Sequence, residues 1–355
     1  MKKYLISLVT ILMIFIFVNC SSDKQKEQEG KKTDNVVTEF DSTDLQTTAI
    51  NNFVAEKGFH LKYVFKEGNS FSYRLTTLAH MKTNLQTDSS VINVSDQKMI
   101  RIADFTIESV DNDSIADIRC TISNVLLEAD INNEKHSYRS GSVLDSSDQK
   151  KYLEYEVIIN NPFNIRITKF GELLDIYKID QIVNRYLEIS GLKDSARTED
   201  KDFLKDQIKN NLIKPFISHI FREVPSKKLE VESTWEKTLT PTQMMVFKIQ
   251  NTNHFKISSL GMLKDNRIAV INGFSTSSFE GDTNVSNNGV YYQFNKPETE
   301  SSGKIYFNID KGLVSKSKSK NKFTISYLMQ MITPRGVKKG NSSETIISDN
   351  IVELL

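Results

Sequence analysis

Strict alternation of apolar and polar residues runs through most of the sequence after residue 60. In the stretch 61–65 every second residue is apolar, a Gly-containing turn follows at 67–69, and the alternation resumes at 71–75. A period of two is typical of strands with one buried and one wet face. Two such runs joined by a turn predict a β-hairpin. About a dozen similar segments, separated by short turns, imply large antiparallel sheets.

The other predicted strands follow the same alternation. The 355 residues include only 6 Pro and 14 Gly, so few of these strands are interrupted. They are Met99 to Val110, Ser114 to Leu127, Tyr152 to Ile159, Phe163 to Ile167, Met244 to Gln250, Phe255 to Leu260, Arg267 to Phe279, Val290 to Phe294, Ile305 to Ile309, Phe323 to Met331 and Ile346 to Val352.

The segment 176–222 departs from this period. Its apolar residues recur at helical spacing, which predicts two or three amphipathic helices. Gly191 marks the end of the first helix, and Pro215 kinks or restarts the second. A weaker helical pattern runs from Asp44 to Lys57. We therefore expect a mainly β (α+β) protein, with large curved antiparallel sheets in two β-rich halves and a helical segment between them.

A short apolar run opens the chain. Lys2 and Lys3 precede fifteen apolar or hydroxyl residues from Tyr4 to Val18. A bilayer-spanning helix needs about 20 apolar residues, so this run predicts a secretory signal peptide. The residues Phe17 to Cys20 resemble the lipobox of bacterial lipoproteins, whose cysteine is diacylated on sulfur and becomes the mature N-terminus. The resemblance implies lipidation of Cys20, and the alternative is an uncleaved signal anchor with an incidental cysteine.

A polar stretch follows the cysteine, with no apolar residue before Val36. Such a composition cannot bury a core and predicts a flexible tether. About 20 residues of coil reach ~25 Å. Ser21 resembles the residue that directs lipoproteins of enteric bacteria to the outer membrane. We therefore expect a lipid-anchored protein of the bacterial cell envelope, at the outer membrane on its periplasmic face or at the surface.

These features divide the chain into five parts. We expect a lipoprotein signal peptide at 1–19, a lipidated cysteine and flexible tether at 20–40, a first β-rich half at 41–175, a helical segment at 176–222 and a second β-rich half at 223–355.

Three stretches resemble an uncharacterised family of bacterial envelope lipoproteins. They are HLKYVFKEGNSFSYRLT at 60–76, VPSKKLEVESTW at 224–235 and GKIYFNIDKGLVSKSK at 303–318. The resemblance implies a domain of unknown function, a β-rich fold and an envelope location, and it implies no activity. The long antiparallel pattern is also similar to the curved half-barrels of lipoprotein carriers, which hold acyl chains on a concave face.

Charge and motif content exclude several functional classes. The 46 basic and 45 acidic residues give +1, and removing Lys2 and Lys3 leaves 44 against 45. This balance lacks the positive field that a binder of duplex phosphates needs, so no nucleic-acid binding is expected. Two cysteines exclude a disulfide scaffold and a thiolate zinc site. No phosphate loop, nucleophile elbow or HExxH motif occurs, and the five histidines lack metal-ligand spacing. We expect no catalysis, metal or cofactor.

A lysine stripe is the most unusual local pattern. In the sequence SKSKSKNK, alternate lysines share one face of a strand, while the serines and an asparagine share the other. The stripe favours either contact with anionic lipid head groups or a solvated face at a guarded edge. Its members are Lys316, Lys318, Lys320 and Lys322.

Two single residues have alternative interpretations. Trp235, the only tryptophan, is either a packing anchor for the second half or an exposed stacking platform. Cys120 lies on an apolar face between Ile118 and Ile122, which favours a buried side chain over a reactive thiol.

The leading functional expectation is a non-catalytic protein that binds an apolar ligand or an envelope partner on a concave sheet. The 20 Phe, 12 Tyr and 9 Met motivate a lining of aromatic and aliphatic side chains. One alternative is a structural or assembly lipoprotein that docks on another envelope protein. Another is a hydrolase with a site assembled across the two halves, which a concave cluster of perturbed carboxylates or histidines would favour.

Overall fold

The computed structural model describes residues 40–49, 58–287, 289–334 and 336–355. Strands hold 57% and helices 15% of the structure, which confirms a mainly β protein. The strands form one large, curved, open antiparallel sheet, with a short helical segment between its β-rich halves. The predicted signal peptide, Cys20 and the tether up to residue 39 lie outside the described residues.

The sheet has sixteen strands within the described part of the chain. In chain order they are β1 (Thr48–Ala49), β2 (Ser70–Gln86), β3 (Ser90–Val110), β4 (Ala116–Ile131), β5 (Glu134–Arg139), β6 (Phe163–Ile167), β7 (Leu173–Tyr177), β8 (Thr234–Thr238), β9 (Thr242–Met244), β10 (Phe247–Leu263), β11 (Asn266–Glu280), β12 (Asn284–Asn287), β13 (Val290–Phe294), β14 (Glu298–Asn308), β15 (Leu313–Thr333) and β16 (Gly336–Leu354).

The main path of the sheet runs β1-β10-β11-β14-β15-β16-β2-β3-β4-β6-β7. The two β-rich halves therefore share one sheet, joined where β16 pairs antiparallel with β2 from Asn341↔Gln86 to Leu354↔Tyr73. The central strands are longer than the alternation alone predicts. β15, for example, continues upstream from the predicted Phe323 start through the whole lysine stripe.

The described chain also contains five α-helices and one π-helical turn. The strand predicted at Tyr152–Ile159 is wrong: apolar and polar residues alternate in this segment, but its apolar residues also recur at helical spacing, and it forms a helix. Asp145 starts the helical turn before it by accepting hydrogen bonds from the Ser147 and Asp148 amides at 2.8 Å. The elements are α1 (Ser146–Lys151), α2 (Leu153–Ile158), α3 (Asp180–Ile189), α4 (Thr198–Gln207), the π-helical turn Ile208–Ile213 and α5 (Lys214–Ile220).

The helices predicted between 176 and 222 are confirmed. α3 buries Ile182 and Val183 on one stripe, and Gly191 follows it in the left-handed conformation at φ +69°. The Gly191 amide donates to the Glu188 carbonyl, which closes the helix as expected for glycine at this position. Pro215 lies in the first turn of α5, directly after the π-helical turn Ile208–Ile213.

Residues 59–66 differ from the predicted hairpin arm. Leu61 and Tyr63 are buried as the alternation indicates, but this segment is not a strand of the sheet. It runs as an extended arm between the turns that contain Lys169 and Gly312. The Tyr63 amide donates to the Lys169 carbonyl, and the Val64 amide donates to the Gly312 carbonyl. The alternation of apolar and polar residues here reflects the burial of every second side chain, and such burial does not require the segment to pair with a neighbouring strand.

The predicted helix from Asp44 to Lys57 is also wrong in its described part. Residues 44–47 have no regular structure, and Thr48–Ala49 pairs with β10 as β1. Residues 50–57 of that prediction lie outside the described chain.

The main apolar core joins the helices to the concave face of the sheet. It includes Phe105, Phe163, Ile182 and Phe216, all fully or almost fully buried. No helix in the described chain is long and apolar enough to span a bilayer. Beside the core, the concave face of β10, β11, β14 and β15 is open, and this opening forms the site below.

Candidate ligand-binding site

A cavity of about 350 Å³ lies against the concave face of β10, β11, β14 and β15. We call it the trough. Odd-numbered residues of these strands face it, because side chains alternate between the two faces of a strand. The lining is mostly short and polar, unlike the expected lining of Phe, Tyr, Ile and Met. Six of these polar residues are Asn251, Asn253, Ser275, Ser301, Ser319 and Asn321.

Hydrogen bonds between neighbouring strands hold the polar wall in place. Ser277 Oγ donates to Asn251 Oδ1 at 2.6 Å, and Thr299 Oγ1 donates to Ser277 Oγ at 3.0 Å. Ser301 Oγ donates to Asn321 Oδ1 at 2.7 Å. The wall therefore presents an ordered surface of hydroxyl and amide groups, which suits a ligand that forms several hydrogen bonds.

Two glycines line the trough at one level of the sheet. Gly273 on β11 and Gly303 on β14 are directly opposite each other in the strand register. A Cβ on Gly273 would lie only 3.1 Å from the Phe255 ring, and a Cβ on Gly303 would lie 3.0 Å from the Lys318 carbonyl oxygen. At this level of the sheet neighbouring protein atoms therefore approach both glycines closely.

The C-terminal end of α5 closes one end of the trough with His219 and Arg222. Tyr63 fixes the backbone there, because its hydroxyl accepts from the Arg222 amide at 2.8 Å and donates to the Arg222 carbonyl at 3.1 Å. Gly171, at φ +82°, allows this approach, since a Cβ would clash with the Arg222 carbonyl oxygen. The arm at 59–66 therefore positions a charged residue of the site.

Arg101 and Glu154 extend the charged end beneath the sheet. With His219 and Arg222 they form what we call the closed-end cluster. The Arg101 guanidinium lies 5.1 Å from the centre of the Phe216 ring, a cation–π distance. Burial raises the pKa of the Glu154 carboxyl to about 7, against the opposing effect of the Arg101 charge.

Burial keeps His219 neutral at pH 7, and the charges of the two arginines add to this effect. Burial, followed by the charges of Arg222 and Arg101, lowers the pKa of His219 to about 3. Burial also lowers the pKa of both arginines, which nevertheless stay cationic at neutral pH. The closed-end cluster therefore holds two buried positive charges and one carboxyl that titrates near neutrality.

The closed-end cluster also bears on the hydrolase alternative, which stays a prediction. It contains a perturbed carboxyl and a perturbed histidine, but His219 Nδ1 has no hydrogen-bond partner in the described structure. A nucleophilic mechanism needs a hydroxyl or thiol activated by a neighbouring base. No group of three metal-ligating side chains occurs among the described residues either.

Alternation places the side chains of the lysine stripe on the outer face of β15, and Lys318 and Lys322 also border the trough. Lys316 Nζ is 2.8 Å from Asp41, and Lys318 Nζ is 3.0 Å from Asp44. The Lys316 side chain is 3% exposed, so it cannot place its charge against a lipid head group. The pKa of Asp44 is lowered to about 2 by hydrogen bonds from Lys304 and then Lys318.

The other two lysines are more accessible. Lys322 Nζ is 3.0 Å from Glu300, and Lys320 is exposed opposite Asp349 in the strand register. The four lysines therefore do not form one uniform cationic surface. Two of them fasten residues 40–45, which we call the strap, to the sheet.

The two single residues take packing positions. Trp235 stacks on Phe255 with ring centres 5.2 Å apart, and it is half-buried, as a packing anchor should be. Cys120 is fully buried, and burial raises the pKa of its thiol well above the usual value.

Sequence reasoning missed the trough and the closed-end cluster. Arg101, Glu154, His219 and Arg222 are far apart in the chain, and only the sheet curvature and α5 bring them together. One usable signal was present at 315–322, where both faces of the strand are polar. A strand that is polar on both faces cannot pack either of them into an apolar core.

The profile of one protein family matches residues 113–314, which is more than half of the chain. Its description is a family of unknown function (DUF6263). The chain belongs to this family. The match covers β4 to the start of β15, and thus most of the trough and its closed end. No curated protein matches the sequence.

Solved structures give only distant similarity. A lipovitellin structure, titled for lipid–protein interactions, is 11% identical at a TM-score of 0.39, over 82% of this chain and 25% of that one. This chain therefore spans about a quarter of the lipovitellin chain. Pseudomonas aeruginosa OccK5 (OpdH) is 6% identical at a TM-score of 0.19, over 80% and 98%. Pseudomonas aeruginosa OpdQ is 5% identical at a TM-score of 0.18, over 80% and 99%. These scores are too low to assign a fold or a ligand to this chain.

Proposed function

We propose that this protein is a lipid-anchored, non-catalytic binding protein of the bacterial cell envelope, and that its trough holds a polar ligand. The observation that carries the proposal is the ordered wall of hydroxyl and amide groups around a cavity of about 350 Å³. Groups of this kind fix the orientation of a ligand through hydrogen bonds. The lipobox-like residues Phe17 to Cys20 support the anchor.

The lining favours a hydrophilic ligand over a bare acyl chain. An acyl chain in this position would displace water from the donors and acceptors that the wall does not already use between its own strands, and it would offer them no partner, which costs free energy for each such group. A ligand rich in hydroxyl or amide groups would satisfy them. This departs from the ligand expected on composition, because most aromatic residues lie in the packed clusters and only three, Phe255, Phe274 and Phe323, line the trough.

Native mass spectrometry of the chain, purified from its own membranes in mild detergent, tests the proposal. We expect a small polar molecule to co-purify and to be lost from N321L, which removes an amide that faces the trough. K320Q, one residue away on the outer face, is the matched control and should keep the ligand. A co-purifying acyl lipid, or a polar ligand retained by N321L, would contradict the proposal.

A second candidate function is docking on another envelope protein. The β15–β16 hairpin projects beyond the end of β2, because the pairing of β16 with β2 stops at Asn341↔Gln86 and β16 begins at Gly336. The projecting part exposes Ile332 and Val337, which pair in the strand register, at 84% and 56%. Adjacent exposed apolar side chains often mark a protein interface. A crosslinker placed at Ile332 should capture a defined envelope protein, and a crosslinker at Lys320 should not. Equal capture at both positions would remove this candidate.

A further inference from the structure

The closed-end cluster contains cationic groups without anionic partners. Arg222 lines the trough, and no ion pair within the described chain includes it or Arg101. The Nε atoms of both arginines and Nδ1 of His219 are buried with no hydrogen-bond partner there. Buried polar groups are nearly always paired in folded proteins, so unpaired donors in one place call for an explanation.

The protein itself supplies little compensating negative charge. Glu154 is the carboxyl whose charge acts on Arg101, and burial raises the pKa of Glu154 to about 7. No hydrogen bond or ion pair in the described structure joins the two side chains. Burying a cation without a partner is expensive, and an anion that enters the site removes much of this cost.

The surroundings of Arg222 also suit a ligand group. Tyr63 and Gly171 hold its backbone, so the side chain projects from a fixed point at the end of the trough. The guanidinium is surrounded by protein yet meets the cavity, so a group bound there would be largely removed from water. Arginine forms strong paired hydrogen bonds with carboxylate and phosphate oxygens, and they are stronger in such a setting.

We propose that Arg222, assisted by Arg101 and by His219, binds an oxyanion of the ligand, a carboxylate or a phosphate, at the closed end of the trough. The inference rests on the proposed function and adds the charge of the ligand to it. His219 contributes a neutral ring, which can donate one hydrogen bond from a protonated nitrogen. The polar wall then holds the uncharged remainder of the ligand.

Thermal unfolding with added anions tests this site. The full chain in detergent, dialysed free of bound ligand, is heated in sodium chloride, inorganic phosphate or sodium acetate at equal ionic strength. We expect phosphate or acetate, but not chloride, to raise the unfolding temperature, and the effective anion identifies the chemistry. R222Q should weaken the apparent affinity roughly 30-fold or more, as removal of one partner of a buried charged pair does.

The variants separate binding from a structural role. R222Q removes an unpaired buried charge, so without added anion it should unfold at an equal or higher temperature than the wild-type chain. A lower temperature would indicate a structural role for Arg222. R222K keeps the charge and should retain part of the anion response if R222Q fails to fold. K320Q removes an exposed lysine from the outer face and should leave the response unchanged.

The outcomes also distinguish this inference from the proposed function. No stabilisation by either anion, or equal stabilisation of wild type and R222Q, would overturn the anion site. A neutral polar ligand that co-purifies and is lost from N321L would then leave the proposed function intact. If neither anion stabilises the chain and no polar ligand co-purifies, the anion site and the proposed function are both rejected.

Discussion

Replacing Glu154 with Gln tests the closed-end cluster through its pH dependence. Burial raises the pKa of Glu154 from 4.5 to about 7. The folded chain therefore holds this proton at a pH where the unfolded chain has released it. The resulting stabilisation is fully present below pH 4.5 and is lost as the pH rises through about 7. At about 1.4 kcal/mol per pKa unit, the loss between pH 4.5 and pH 8 is about 3 kcal/mol.

Urea unfolding, followed by the fluorescence of Trp235, measures this difference. The free energy of unfolding of E154Q should lack this decline, so the gap between E154Q and wild type should change by about 3 kcal/mol in favour of E154Q from pH 4.5 to pH 8. E67Q, in an exposed turn, is the matched control and should follow the wild-type profile. If E154Q and wild type lose stability equally over this range, Glu154 is paired or solvated, and the reasoning from burial is wrong.

Three further predictions concern other parts of the chain. Y63F removes both hydrogen bonds to the Arg222 backbone and should lower the free energy of unfolding by about 1–3 kcal/mol in the urea assay; an unchanged value would show that the arm does not position Arg222. The double variant D41N/D44N should release the strap, so that limited proteolysis at 40–45 becomes faster, while D88N, at an exposed ion pair, should not change the rate. Because Lys316 and Lys304 lower the pKa of Asp41 and Asp44, wild-type attachment should persist at pH 5, weaken as the pH falls below 3.8, and be lost as it falls through about 2. C20S should abolish labelling by a palmitate analogue and release the chain from membranes; labelling that persists would contradict lipidation of Cys20.

Periodicity predicted the sheet well because burial on one face imposes a period of two. Phe163–Ile167 and Val290–Phe294 are strands with the predicted bounds. Periodicity also predicted the helices of 176–222, because α3 buries its apolar residues along one stripe and Gly191 follows its end. The strand predicted at Tyr152–Ile159 is wrong because apolar residues recur there at two spacings: every second residue from 153 to 159, and at helical spacing at 152, 155 and 158. The helix α2 buries Tyr155 and Ile158.

The site could not be read from the sequence in the same way. Alternation shows which residues share a face, but it does not show whether that face meets a core, a cavity or water. Asn251 and Asn321 are brought to one wall by the pairing of β10, β11, β14 and β15, and this pairing depends on register. Arg222 reaches the same cavity from a helix end, held by Tyr63 from 159 residues upstream. Such contacts have no local sequence signal.

A crystal structure of the chain, purified from its own membranes in mild detergent, tests the binding role of the trough most directly. We expect density for a polar molecule along the hydroxyl and amide wall, with an oxyanion within hydrogen-bond distance of the Arg222 guanidinium. Density for an acyl chain along the trough, or side chains that close it without a ligand, would contradict that role.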